Sequence, residues 1–204
     1  MAVVCSVCLW RAPWAAVRSV PARLHLILGG AVLCLVLWLM SVRVVDGLLI
    51  HFLGITAFTL LVGLRFALLA GALASACYVL LMGQSVAAIP VAWWLSVCIP
   101  AMVSRSLVTL ISRLGFSNLF VFMLGTGFVG GILAMLCMSI AALLLLWLGG
   151  QQAWVEAALE NWPIVTLALF PEGFINGMIV TTLTVFFPQL VKNFDDETYL
   201  GRKE

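Results

Sequence analysis

Six apolar runs fill most of this chain, and the links between them are too short to fold in water. The runs are roughly Leu24–Val42, Leu48–Leu64, Phe66–Met82, Val86–Val103, Leu119–Leu148 and Trp162–Leu190. Arg43–Gly47, Arg65, Gly83–Ser85, Ser104–Ser117 and Gly149–Asn161 join them. About 20 mostly apolar residues in a helix cross the roughly 30 Å of a bilayer's hydrocarbon, where only helices and closed barrels satisfy their own backbone. The pattern predicts an all-α, polytopic membrane helix bundle of six spans, with residues 1–204 as one transmembrane domain. Charge excludes a soluble alternative: 9% of residues are charged, against about 25% in an ordinary soluble domain. The net charge of +2 is scattered, so no basic patch points to nucleic acid.

Two runs do not fit a simple crossing. Leu119–Leu148 carries Gly125, Gly127, Gly130 and Gly131, and tilt or a break near them absorbs its extra length. The last run contains Pro163 and Pro171. Pro171-Glu172-Gly173 reads as a helix start, with proline first and an acid in the first turn. That leaves Trp162–Phe170 as a half-inserted approach. A single kinked helix is the other reading, and the pattern does not choose between them.

Positive residues set an orientation. With the N-terminal segment inside, Arg11, Arg18, Arg23, Arg65, Arg105, Arg113, Lys192, Arg202 and Lys203 share one side, and only Arg43 lies on the other. The expectation is that segment 11–23 and the tail 191–204 are cytoplasmic, and that the loop with Glu156 and Glu160 is outside. Met1–Leu9 is apolar without the leading charges of a signal peptide. It reads as the end of a helix, and an upstream piece would make the spans seven.

Each polar residue within a span needs a reason, because it costs free energy there. Asp46, His51, Glu172 and Asn176 all fall in the outer half or at the outer surface on this orientation. Glu172 and Asn176, four apart, share a helix face. Gly54, Gly173 and Gly177 lie beside these residues and permit close helix approach. One reading is a polar pocket open to the outside, with an imidazole that suits nickel, cobalt or zinc. The other is that His51 bonds a backbone carbonyl while Glu172 and Asn176 fasten two helices. His25, among the inner arginines, reads as an interfacial residue. Cys34, Cys77, Cys98 and Cys137 sit singly in apolar runs as small hydrophobes, and the lone Cys5-x-x-Cys8 pair reads as apolar filler. Neither HExxH, GxSxG nor a Walker loop occurs, so no enzyme is expected. Active transport would then draw on a partner chain or an ion gradient. Ala67/Gly71 and Ala70/Ala74 form small-xxx-small pairs suited to packing on a partner helix, as does Gly127/Gly131.

The stretch Ile50-His51-Phe52-Leu53-Gly54, with Thr56, Thr59, Leu60 and Gly63, resembles the HxLG…TLxxG segment of CbiM/NikM-type proteins. These are membrane substrate-binding components of energy-coupling-factor ABC transporters for cobalt and nickel. Phe170-Pro171-Glu172-Gly173-Phe174-Ile175-Asn176-Gly177 is similar to the glutamate-glycine segment of that family's last helix. Phe194–Leu200 is similar to the tail of an uncharacterised proteobacterial branch. The resemblance covers most of the chain from about Trp10 onward. It implies an inner-membrane capture subunit for Co2+ or Ni2+, with no prosthetic group. It also implies a transmembrane coupling subunit and cytoplasmic ATPases on other chains. Of the family's metal ligands, which are the free N-terminus, a second-position histidine and the HxLG histidine, only the last carries over, as His51. Asp46, Glu172 and Asn176 would line or support its site. The alternatives are an S-component for another small substrate, a non-transporting structural or assembly protein, or an intramembrane metalloenzyme.

Overall fold

Long apolar segments with no charge to interrupt them wind into helices, because in lipid the backbone has no other partner than itself. The computed structural model of the protein describes residues 1–19, 21–45, 48–115 and 118–191. The helices are α1 (Ala2–Arg11), α2 (Trp14–Ser19), α3 (Pro21–Leu39), α4 (Ile55–Val62) and α5 (Leu64–Leu81). They continue with α6 (Val86–Arg113), α7 (Val121–Leu148), α8 (Gln152–Glu160) and α9 (Trp162–Phe186). Among the described residues, five helices are long and apolar enough to cross a membrane: most of α3, and α5, α6, α7 and α9. This is the make-up of an α-helical membrane protein.

The sixth expected span is where the structure departs from the expectation. Leu48–Leu64 is not one helix. It begins as strand β2 (Leu48–Ile50), paired antiparallel with β1 (Val42–Val45). Residues 51–54 then run without regular structure into α4, which has 8 residues. At about 1.5 Å per residue, α4 covers only about 12 Å, well short of a bilayer. The neighbouring helices show that the chain must nevertheless return here. Trp14, at the start of α2 just ahead of α3, meets Phe66 near the start of α5 edge to face at 5.3 Å, and Trp38 and Tyr78 meet at 6.1 Å near the ends of α3 and α5. The two helices therefore run in the same direction, and the chain between them comes back as an extended piece plus a half-length helix.

Glycine brackets α4 at both ends. Gly54 sits at φ 65°, and Gly63 at φ 82°, ψ 158°. The second is a conformation open essentially to glycine alone. Every residue of α4 is buried, with α3, α5, α6, α7 and α9 all packed around it. The broken helix is thus the centre of the bundle.

One further expectation is corrected, and two open readings are decided. Ser104–Ser117 was expected as a link, but α6 continues through Arg113. Its buried Ala101, Ser104, Val108 and Ile111 recur three and four apart, which keeps one face in the core. Leu119–Leu148 is continuous in α7, whose first turns, Val121–Val129, widen into a π-type helix around Gly125 and Gly127. The last run is one helix, α9, with Pro171 inside it, rather than two pieces meeting at the proline. The expected link Gly149–Asn161 contains α8. The tail from residue 192 onward lies outside the described residues.

Candidate functional site

The extended return places backbone groups inside the bundle, where each needs a partner. Leu53, fully buried, shows how this is done. Its carbonyl accepts from Trp38 Nε1 at 3.0 Å, and its N–H donates to Glu172 Oε2 at 2.8 Å. Gly54 N–H donates to Glu172 Oε1 at 3.1 Å. One turn further, Ala57 N–H donates to Asn176 Oδ1 at 2.8 Å. Asn176 Nδ2 donates to the Glu172 side chain at 2.6 Å and to the Glu172 carbonyl at 2.8 Å.

Glu172 and Asn176 therefore cap α4 from another helix. The first N–H groups of any helix lack intrahelical partners, and Gly54, at the cap position, has no side chain to serve them. A carboxylate and an amide four apart on α9 supply the acceptors instead. Three groups donate to the Glu172 side chain, two to Oε1 and one to Oε2. It also sits at the positive end of the α4 dipole. Glycines let α7 reach this seam. A Cβ on Gly131 would lie 3.1 Å from Asn176 Nδ2, from the Glu172 carbonyl oxygen and from Gly173 Cα. A Cβ on Gly127 would lie 3.1 Å from Gly177 Cα. The pairs Gly127/Gly131 and Gly173/Gly177 thus face each other across an antiparallel crossing.

His51, two residues before Leu53, lies outside this saturated seam. Its Nδ1 is 3.3 Å from the Phe52 carbonyl oxygen. A carbonyl only accepts, so this contact is a hydrogen bond when Nδ1 carries the proton, and a neutral ring in that tautomer keeps its lone pair on Nε2. The ring stands 6.0 Å from Trp38 and 5.9 Å from Tyr78, and the Tyr78 hydroxyl is hydrogen-bonded to Ser41. His51 lines two cavities. One, of about 100 Å³, lies between β2, α7, α8 and α9, and its wall includes Met135, Met138, Ser139 and Trp162. The other, of about 230 Å³, opens between the hairpin and the first turns of α9, with Met40, Phe52, Leu167 and Pro171 in its wall. Pro171 has no N–H to return to the Leu167 carbonyl.

The structure brings three of the four expected polar residues to one segment, in two different roles. Glu172 and Asn176 hold residues 53–57, while His51 faces the cavities. Asp46 lies outside the described residues. Among the described residues, no group of three or more His, Cys, Asp or Glu is placed to share a metal ion. Ala67, Ala70, Gly71 and Ala74 are buried within the chain itself, and a Cβ on Gly71 would meet the Val97 side chain at 2.4 Å. Sequence reasoning passed over Trp38, Tyr78 and the methionines of the cavity walls, since each reads as ordinary apolar filling. The spacing of Met135 and Met138, three apart on one helix face, was the available signal. Compared with protein-family models, curated proteins and solved structures, the chain matches none.

Proposed function

We propose that this chain is the membrane substrate-capture subunit of an energy-coupling-factor type ABC transporter, with a transition-metal ion as its cargo. The resemblance to CbiM/NikM-type proteins implies cobalt or nickel, and His51 is the ligand it carries over. One observation supports the reading above the others. The two short segments that bear the resemblance, 118 and 119 residues apart at their bonded positions, meet in three backbone hydrogen bonds to Glu172 and Asn176. Glu172 and Asn176 themselves fasten two helices in this seam, and it is the resemblance that ties the seam to capture. The seam fixes the segment that presents His51, and His51 Nδ1–H on a carbonyl is the arrangement that orients a metal-ligating imidazole.

On this reading the Arg11 and Arg65 end of the bundle faces the cytoplasm of a cell with an inner membrane, and the hairpin end faces out. Release into the cell is driven by a transmembrane coupling subunit and ATPases on other chains. The test is purification of the tagged chain from native membranes in mild detergent. Recovery of ATP-hydrolysing partners, with ATP-dependent metal uptake in reconstituted vesicles, is the expected result. A stable complex without any ATP-binding chain, and no uptake, would favour the structural or assembly reading instead.

A further inference from the structure

The smaller cavity beside His51 holds an unusual donor set for a divalent ion. Its wall brings together the His51 imidazole and the side chains of Met135 and Met138, one turn apart on α7. Met135 is 1% exposed at the chain surface and buried in the bundle. Met40 lines the adjoining cavity, which also reaches His51. At about 100 Å³ the space is well above the roughly 10–15 Å³ that admits one water. No acidic residue stands among the described residues of either wall, and the nearby carboxylate, Glu172, is occupied by three donors.

Resting on the capture reading above, we propose that this cavity takes a soft monovalent cation, copper(I), through His51 Nε2 and the thioether sulfurs of Met135 and Met138. Two independent arguments lead there. Thioether sulfur is a soft, uncharged donor, and such ligands select copper(I) over harder divalent ions. The second argument is charge. Desolvation cost rises with the square of charge, so a divalent ion in a neutral, apolar pocket bears about four times the penalty of a monovalent ion of the same size. A site without a carboxylate ligand is suited to the smaller charge. The neutral His51 tautomer set by the Phe52 carbonyl adds a lone pair without adding charge of its own.

The experiment uses the full chain in detergent, anaerobic and reduced, with silver(I) and chelator-buffered copper(I) as probes beside Ni2+ and Co2+. The variants are His51→Ala and the double change Met135→Leu with Met138→Leu, where leucine nearly preserves volume. Thermal unfolding of each confirms that it is folded. The difference between wild type and variants separates this site from the chain's six cysteines. The expected result is silver(I) and copper(I) affinity that falls tenfold or more in both variants, with Ni2+ and Co2+ held more weakly than copper(I). Unchanged silver(I) affinity in the folded variants overturns the proposal. His51-dependent binding of Ni2+ or Co2+, with no such binding of silver(I), overturns it too but leaves the capture reading standing. If no ion binds in a His51-dependent way, both this site and metal capture fall together.

Discussion

Leu53 and His51 are two residues apart on one extended segment, yet they face opposite kinds of surroundings. On the Leu53 side, Trp38, Glu172 and Asn176 meet the backbone polar groups of residues 53, 54 and 57, and glycines bring the helix backbones close enough to exclude water. On the His51 side the walls are apolar, the packing leaves two cavities, and the His51 ring lines both. The difference separates stability from function along a single stretch of chain. A broken helix within a bundle is tolerated only where other groups satisfy its ends. Once that is done on one side, the other side is free to stay open. Changes on the two sides should therefore have effects of different size and kind.

The largest effect is expected at Glu172. Glu172→Ala leaves the Leu53 and Gly54 N–H groups without their acceptor inside the bundle, while Asn176 keeps its bond to the residue-172 carbonyl. Unsatisfied buried groups cost about 1–3 kcal/mol each, so the loss should be about 2–6 kcal/mol, read as early thermal unfolding in detergent. A variant as stable as wild type would mean that the seam does not hold the return. Asn176→Ala, which strands only the Ala57 N–H, should lose about 1–3 kcal/mol. Gly63→Ala comes next, at about 1–3 kcal/mol, because its backbone conformation is open essentially to glycine alone. Gly173→Ala tests the crossing with α7: the new methyl would stand 2.8 Å from the Phe128 carbonyl oxygen. Backbone on that side cannot swing away as a side chain would, and about 1–3 kcal/mol of overpacking follows.

These residues also show how far the sequence could be read. The largely helical character and five of the six expected spans followed from run length and the scarcity of charge, since a backbone in lipid has so few options. The break in the second run was hidden because Leu48–Leu64 is apolar throughout, and in short apolar runs periodicity does not tell strand from helix. Gly54 and Gly63 were the marks of the break, and their meaning depended on φ angles that composition does not reveal. Pro171 left a helix start and a single helix equally open, and α9 passes through it, because membrane helices absorb a proline where neighbours re-satisfy the freed carbonyl. The four-residue spacing of Glu172 and Asn176 was legible as a shared face. Its target, the start of a helix more than a hundred residues earlier, was not. The cavities were invisible for a simpler reason: they are set by what packing leaves empty, and no residue type announces that.

The smallest stability effect belongs to the cavity wall, and it is the most discriminating. Met138 lies on α7, the helix that also carries Gly131, but it faces the space beside His51 rather than the Glu172 seam. Met138→Leu exchanges two side chains of nearly equal volume, a change that costs under about 1.5 kcal/mol in a packed core. Beside a cavity there is slack to absorb the difference in shape, so the melting temperature in detergent should stay close to that of wild type. A loss as large as that of Asn176→Ala would mean that the wall is packed as tightly as the seam. The division between a rigid side and an open side would then fail. A near-neutral melt supports it, because the wall has exchanged a thioether for a branched hydrocarbon of nearly the same volume. Any change in ion retention in that variant then reports on the chemistry of the cavity and not on the fold that surrounds it.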